Sequence, residues 1–180
     1  MIALIAFATR HGSTEGVADR LGRGLRSSGI AAEVRPVAEL TDLAGYDAVV
    51  LGSAVHNGRW LPEAREFALR NAATLRERPT WLFSVGTLGD QESMIAPAVA
   101  RALRALRTET PEVTALRSAI HPREHRNFAG AIARGDWSRA GDVFLRVLGG
   151  HHGDHRNWPA IDAWAADIAA RLTTASTGPG

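Results

Sequence analysis

The segment IALIAFATRHGST, residues 2–14, decides the fold of this chain. Residues 2–8 form an unbroken apolar run, which predicts a buried β-strand. The polar stretch after them contains Gly12 and several hydroxyl side chains, and helical sequence follows. This order places the unpaired N–H groups of a helix N-terminus beside the end of the strand, where they stabilise an anion. Residues 9–14 are therefore predicted to hold a phosphate group or, alternatively, to be an ordinary helix cap, since Ser and Thr are frequent N-caps.

Composition limits the classes of protein that this chain can belong to. Its 180 residues are 45% hydrophobic, which suits one domain with a substantial core. The 21 basic residues are all arginines, and the formal net charge is only +2. No dense basic run is present, so we expect no nucleic-acid partner, although peripheral contact with the inner face of a membrane is permitted. The lack of cysteine fits a cytoplasmic protein and means that redox chemistry would need a cofactor.

Apolar runs alternate with helical patterns along the chain. Strands are predicted near 2–8, 32–37, 47–52, 80–86 and 127–132, and helices near 14–28, 62–76, 92–107 and 158–172. This alternation predicts an α/β fold, a doubly wound five-stranded parallel sheet with helices on both faces. One domain is expected over 1–172, followed by a tail at 173–180 that we predict to be disordered. A ligand should lie at the carboxyl ends of the strands, where the strand order reverses.

Two further loops follow predicted strands and carry small polar residues with glycine. They span residues 53–60 and 84–90. Backbone amides next to the glycines, together with the indole of Trp60, suit a flat polar heterocycle. The same sequences are also common in ordinary turns, which is the alternative for each loop taken singly.

The residues quoted so far resemble a known family. Thr9, Gly12, Ser13 and Thr14 match the T-x-x-G-[ST]-T loop of the flavodoxin-like FMN-binding proteins. Further segments are similar to the menaquinone-dependent protoporphyrinogen dehydrogenase branch of that family, which acts in haem biosynthesis. These segments are 7–12, 52–60, 128–132 and 149–158. The resemblance implies a flavodoxin-like fold and bound FMN, with its phosphate on residues 9–14 and its ring between the other two loops.

The resemblance also implies the site residues and the partners. The candidate cofactor-binding residues are Thr9, Arg10, His11, Gly12, Ser13, Thr14, Ser53, Ala54, Val55, His56, Asn57, Gly58, Trp60, Ser84, Val85, Gly86, Thr87, Leu88, Gly89 and Asp90. A porphyrinogen-like small molecule is the implied substrate, and a quinone is the implied electron acceptor. No catalytic side chain is nominated, because flavin chemistry belongs to the cofactor. The sequence leaves open whether the chain forms a homodimer.

Residues 133–157 form a segment that we interpret as an insertion for substrate or acceptor. Its apolar residues recur at roughly helical spacing among arginines, and they are Trp137, Val143, Phe144, Val147 and Leu148, with Arg134, Arg139 and Arg146. A helix that packs this stripe on the core is the alternative. His151, His152 and His155 follow closely, but no carboxylate or cysteine stands at an established ligand spacing from them, so no metal site is predicted.

Two other functions remain open at this point. One is an electron carrier of the flavodoxin type, a binding module without a substrate pocket of its own. Such carriers are typically strongly acidic, whereas this chain is slightly basic. The other is a dehydrogenase of the same fold that acts on a different substrate, because fold does not fix specificity.

Overall fold

The computed structural model describes residues 1–106, 109–133, 135–136 and 139–176. Its strands are β1 (Ile2–Ala8), β2 (Ala31–Pro36), β3 (Ala48–His56), β4 (Arg59–Trp60), β5 (Thr80–Gly86), β6 (Glu124–Ala129), β7 (Ala131–Ile132) and β8 (Gly153–Asp154). Its helices are α1 (Ser13–Ser27), α2 (Pro62–Arg70), α3 (Ala72–Glu77), α4 (Pro97–Leu106), α5 (Pro111–Ile120), α6 (Arg139–Val147) and α7 (Trp158–Ser176), with a 3₁₀ turn at Val37–Glu39. None of the described helices is long and apolar enough to cross a membrane.

Five parallel strands form the central sheet in the order β2-β1-β3-β5-β6. The predicted doubly wound α/β fold is therefore confirmed. The order reverses between β1 and β3, which places the expected ligand crevice at the carboxyl ends of these two strands. The short β4 runs antiparallel to the end of β3. Asn57 and Gly58 make the turn between them, with φ of 51° and 74°, the left-handed pair that a tight hairpin requires.

Both faces of the sheet are covered, which explains why β1 is apolar at nearly every position. Ala3, Ile5 and Phe7 belong to a core shared with α1 and α7, whereas Leu4 and Ala6 belong to one shared with α2, α3 and α5. This alternation follows from the two-residue repeat of a strand. A rigid first strand thus holds residues 9–14 at the edge of the sheet.

The structure differs from the sequence-based elements in the second half. The last strand of the sheet runs from Glu124 to Ala129, whereas the sequence predicts a strand near 127–132. The first residues of the strand have polar side chains, so an apolar pattern does not detect them. Helix α5 is absent from the sequence-based elements, although Pro111 at its first position and Thr110 as its cap are both start signals. Helix α7 continues through Ser176, so 173–176 are helical where a disordered tail is predicted. Residues 177–180 lie outside the described residues.

Helix α6 lies in the segment 133–157 and packs against a small third core. Leu145 is 1% exposed and joins Met94, Ile95, Ala100 and Ile132 in this cluster. Backbone hydrogen bonds fix the contact: the N–H groups at positions 96 and 151 donate to the carbonyls at 148 and 94. Arg134, Trp137 and the side chain of Phe144 fall outside the described residues. The segment therefore has one side in the fold, as the packing alternative requires.

The other side of α6 is exposed. Val143 and Val147 are 58% and 78% accessible to solvent, and Arg139 and Arg146 are exposed beside them. A helix that buries one stripe and presents two valines to water leaves part of the substrate or acceptor interpretation intact. The packing alternative thus describes the buried side of α6, and the substrate or acceptor interpretation stays a prediction.

Candidate cofactor site

A cavity opens at the predicted place, where β1 and β3 diverge. Its described lining comprises Thr9, Arg10, His11, Ser13, Thr14, Ala54, Val55, His56, Val85, Gly86, Thr87, Met94, Gly130, Ala131, Ile132 and Asp136. All three predicted loops contribute to it. The last five of these residues are not among the candidates predicted from the sequence. For Gly130 a signal existed, since an isolated glycine in a strand pattern marks a close backbone approach.

One end of the cavity is the N-terminus of α1. Gly12 precedes the helix in the left-handed conformation, with φ of 78°, and no side chain caps the first turn. The hydroxyl oxygens of Thr9 and Thr14 are buried and have no hydrogen-bond partner among the described residues. A buried hydroxyl without a partner costs about 1–3 kcal/mol. These two groups and the helix N–H groups are thus donors available to an acceptor at this end of the cavity.

Ser13 belongs to the same end of the cavity. Its Oγ accepts a hydrogen bond from the N–H of Ala131 at 2.8 Å, so the hydroxyl can still donate its own hydrogen. Gly130 lies beside it, and a Cβ at this position would lie 2.6 Å from Ser13 Oγ, 3.1 Å from a Val85 methyl and 3.3 Å from the Met94 methyl. Gly130 is therefore the joint where the two ends of the cavity meet.

The other end of the cavity has apolar walls. Val55 and Val85 face it from β3 and β5, while Met94 and Ile132 come from the third core. No Phe, Tyr or Trp side chain is among the described lining residues. A planar ring bound here would contact aliphatic and thioether groups.

Three predicted site residues lie beneath this end of the cavity. Trp60 is 3% exposed, and its indole N–H donates to Oγ of Ser84 at 2.7 Å. Oγ of Ser53 accepts from the N–H of Leu61 at 3.0 Å. These groups support the walls from below, while Asn57 and Gly58 form the exposed tip of the hairpin above.

The end of the third loop turns away from the cavity. Leu88 packs against the third core, and Gly89 is buried so closely that a Cβ there would lie 2.5 Å from the backbone nitrogen of Ala129. The carboxylate of Asp90 accepts from the backbone and side-chain N–H groups of Asn127 at 2.9 and 3.0 Å. Gly89 and Asp90 line a second cavity of about 200 Å³ between this turn, β6 and the start of α7.

Charges at the mouth of the first cavity are mixed. Arg10 and His56 line it and are exposed. Asp136 is the acidic lining residue, and its Oδ1 lies 3.8 Å from Nδ1 of His11. Its other oxygen accepts from the N–H of Ala133 at 2.7 Å, which holds Asp136 close to the end of β7. Arg10 can therefore pair with an anionic group, while Asp136 lies on the same lining and offsets its charge.

The end of the segment 133–157 is tied to α1. The guanidinium of Arg156 donates to both oxygens of Asp154 at 2.8 and 2.7 Å, and it lies 4.4 Å from the ring centre of Trp158. These hydrogen bonds lower the pKa of Asp154 below its ordinary value. The same guanidinium fills the space beside Gly16, where a Cβ would meet it at 2.3 Å. The Arg156–Asp154 pair thus packs against the start of α1, the helix whose N-terminus forms one end of the cavity.

The histidines of the same segment have other contacts. His152 lies 3.1 Å from Oδ1 of Asp142, and the rings of His151 and His155 meet edge to face. The described part of the chain contains no group of three or more His, Cys, Asp or Glu side chains placed to hold a metal ion. These histidines link α6 to the loop that follows it.

Comparison with known proteins identifies relatives of this chain. Protoporphyrinogen IX dehydrogenase [quinone] from Escherichia coli (strain K12) is 30% identical over 99 residues, which are 54% of this chain and 55% of that protein. The same values hold for the protein of that name from Escherichia coli O157:H7. The chain thus spans about half the length of the curated relatives that it matches.

Solved structures agree with the fold. A flavodoxin from the domain Archaea has a TM-score of 0.56 at 14% identity, and a cysteine-to-serine mutant of flavodoxin from Pseudomonas aeruginosa has 0.58 at 15%; each comparison covers 96% of this chain and 99% of the other. Rubredoxin oxygen:oxidoreductase from Desulfovibrio gigas reaches 0.63 at 13% identity, with 98% of this chain and 37% of that one covered. The family model described as Flavodoxin domain matches residues 4–138, a range that includes every described residue lining the cavity. This chain belongs to the flavodoxin domain family.

Proposed function

We propose that this protein binds FMN and is an oxidoreductase that removes hydrogen from a porphyrinogen-like substrate and passes the electrons to a quinone. The observation that carries the proposal is the pair of buried hydroxyls of Thr9 and Thr14, which have no partner among the described residues. They lie at the uncapped N-terminus of α1, in a cavity at the reversal of strand order. A terminal phosphate would satisfy both hydroxyls and the helix N–H groups together.

The residues present fit FMN at both ends of the cavity. Thr9, Ser13 and Thr14 would hold the phosphate, and the walls at Val55 and Val85 would hold the flavin ring. When bound, FMN supplies the transfer of hydrogen and electrons between substrate and acceptor. The protein would then bind and orient the cofactor, keep water from the phosphate end and leave the mouth of the cavity accessible.

Three observations favour a dehydrogenase over an electron carrier. The partial similarity to protoporphyrinogen IX dehydrogenase [quinone] is the first. The second is the aliphatic character of the walls. No Phe, Tyr or Trp is among the described lining residues, so none of these rings would cover the flavin, which leaves a face for a planar substrate. The third is the exposed guanidinium of Arg10 at the mouth, which can pair with a carboxylate of a porphyrinogen-like molecule.

The test uses the visible absorption spectrum of the purified protein before and after FMN is added. Anaerobic mixing with protoporphyrinogen and then with a menaquinone analogue follows. We expect flavin bands that bleach with the substrate and return with the quinone. Bands that the substrate does not bleach would favour the carrier or another substrate. Absence of FMN binding would refute the proposal.

A further inference from the structure

A buried chain of polar contacts lies beneath the apolar end of the cavity, and none of its members belongs to the described lining. The indole N–H of Trp60 donates to Ser84 Oγ at 2.7 Å, and this oxygen lies 2.9 Å from Nε2 of His125. Nδ1 of His125 lies 3.7 Å from a carboxylate oxygen of Glu109. The side chain of His125 is 4% exposed, and Trp60 and Ser84 are 3% and 2% exposed. The contacts thus link β4, β5, β6 and the residues that precede α5.

The directions of these hydrogen bonds are mutually consistent. Because Ser84 Oγ already accepts from the indole, its own hydrogen is available to Nε2 of His125. With Nε2 as the acceptor, the ring proton is on Nδ1 and faces Glu109, a tautomer that we assign from the hydrogen-bond pattern. Arg117 donates to both oxygens of that carboxylate at 2.7 and 2.9 Å. The indole N–H and the Ser84 hydroxyl therefore each have an acceptor, and Nδ1 of His125 faces the carboxylate at 3.7 Å, which fixes the relative positions of these elements.

This buried chain acts on both walls of the ring end. Trp60 pairs with Val55 in the β3–β4 hairpin, and Ser84 directly precedes Val85 in β5. The two valines line the cavity from opposite loops. A shift of the Ser84 hydroxyl would therefore change the spacing between the walls, while the phosphate end, which is built on α1, would keep its geometry.

We infer that His125 is a positioning residue, which sets the spacing of the Val55 and Val85 walls through Ser84 and Trp60 without touching the cofactor. This inference rests on the proposed function, since a flavin ring must occupy the space between the walls. His125 lies on β6, outside the three loops that the sequence analysis nominated.

The test separates the two ends of the cavity with different probes. Riboflavin has the ring and lacks the phosphate, and inorganic phosphate lacks the ring. We expect His125→Leu to raise the Kd of riboflavin and of FMN about tenfold each, while the Kd of phosphate changes less than twofold. His125→Gln should recover most of the loss, because its side chain can still accept from Ser84.

A double-mutant cycle tests the route of the effect. Trp60→Phe removes the indole N–H together with the pyrrole ring and keeps an aromatic side chain, and it should raise the Kd of riboflavin several-fold by itself. Combined with His125→Leu it should add little, because both substitutions break the same chain of contacts. Fully additive effects would show that the two residues act independently and would contradict the inference.

Thr80→Val is the matched control for lost stability. Thr80 lies at the opposite end of β5, is 1% exposed and donates from Oγ1 to the carbonyl of Leu75 at 3.0 Å. This variant should lose stability while it binds riboflavin as the wild type does. The inference is overturned if His125→Leu also binds riboflavin like the wild type, or if it weakens phosphate binding equally. If the wild-type protein binds no FMN, the proposed function itself is overturned. This result is obtained from the wild type without any variant, so it can be distinguished from a failure of the inference.

Discussion

The two ends of the cavity are built in different ways. The phosphate end comes from one continuous segment, residues 9–14, which runs from the end of β1 into α1. The ring end, with the walls at Val55 and Val85, comes from β3, β5, the loop at 94 and residues 130–132. The buried contacts next to these walls join residues up to 65 positions apart in the chain, from Trp60 to His125. Local sequence thus determines the first end, whereas tertiary packing determines the second. We therefore expect substitutions at the two ends to have separable effects on phosphate and ring binding.

The largest expected effect is at the phosphate end. The double variant T9V/T14V removes both hydroxyls and keeps the shape of the side chains. We expect the Kd of FMN to rise about 100-fold or more, because hydrogen bonds to a charged group contribute about 1.5–3 kcal/mol each. The Kd of riboflavin should change less than twofold. Titration of flavin fluorescence measures both constants.

The same variant has a second signature, in the stability of the protein without cofactor. Removing two buried hydroxyls that have no described partner should raise the free energy of unfolding by about 1 kcal/mol or more. The control T9S/T14S keeps the hydroxyls and should keep most of the FMN affinity. Unchanged FMN affinity in T9V/T14V would show that residues 9–14 only begin a helix.

The next effect is at the joint between the two ends. In Gly130→Ala the new methyl would lie 2.6 Å from Ser13 Oγ and would also press on Val85 and Met94. Overpacking of this kind costs about 1–3 kcal/mol. We expect the affinities for riboflavin and for inorganic phosphate both to fall about tenfold, unlike those of any variant at one end alone.

Gly45→Ala is a control for the stability loss in this experiment. Gly45 has a left-handed φ of 84° and open space around it, and it is not among the lining residues. The Gly45→Ala variant should lose stability through backbone strain and should bind riboflavin and inorganic phosphate as the wild type does. If Gly130→Ala weakened only one of the two probes, the cavity would have no shared joint at this position.

A smaller effect is expected at the exposed side of α6. The variant V143S/V147S removes two valines that are 58% and 78% exposed, so stability should change by less than about 0.5 kcal/mol. FMN affinity should be unchanged. The KM for a menaquinone analogue should rise about three- to fivefold if this side guides an apolar acceptor to the cavity. The matched control is Leu69→Ser, because Leu69 is an exposed apolar residue on α2. If V143S/V147S, this control and the wild type all have the same KM, α6 has a packing role only.

The same contrast explains what the sequence could predict. Residues 9–14 can be recognised because one short pattern contains the strand end, the hydroxyls and the helix start. The fold follows from the alternation of apolar runs and helical patterns. Trp60 could not be placed, because an indole with a polar hairpin beside it fits both an exposed stacking face and a buried hydrogen bond. Met94 reaches the cavity because α4 and α6 pack around it, and Asp136 is held there by its hydrogen bond from Ala133. No local sequence pattern indicates either contact.

The smallest effect concerns Glu109, at the outer end of the buried chain. Hydrogen bonds from Arg117, together with its positive charge, lower the pKa of this carboxyl although burial opposes them. A carboxyl with a lowered pKa in the folded state binds fewer protons there than in the unfolded chain. Its contribution is therefore complete above the ordinary value of about 4.3 and is lost as the pH falls through the lowered value.

We expect Glu109→Gln to be less stable than the wild type by up to about 1 kcal/mol at pH 7, since the side chain is partly exposed. The difference should begin to shrink as the pH falls below the ordinary value of about 4.3 and should approach zero once the pH has passed through the lowered pKa of the folded state. Urea denaturation between pH 3 and 7 measures it, and a difference that stays constant with pH would mean that this ionisation does not stabilise the fold. The amide oxygen of the substituted side chain can still face Nδ1 of His125. Riboflavin affinity should therefore fall less than in His125→Leu. This result would show that the imidazole, rather than the Glu109–Arg117 ion pair, sets the spacing of the Val55 and Val85 walls.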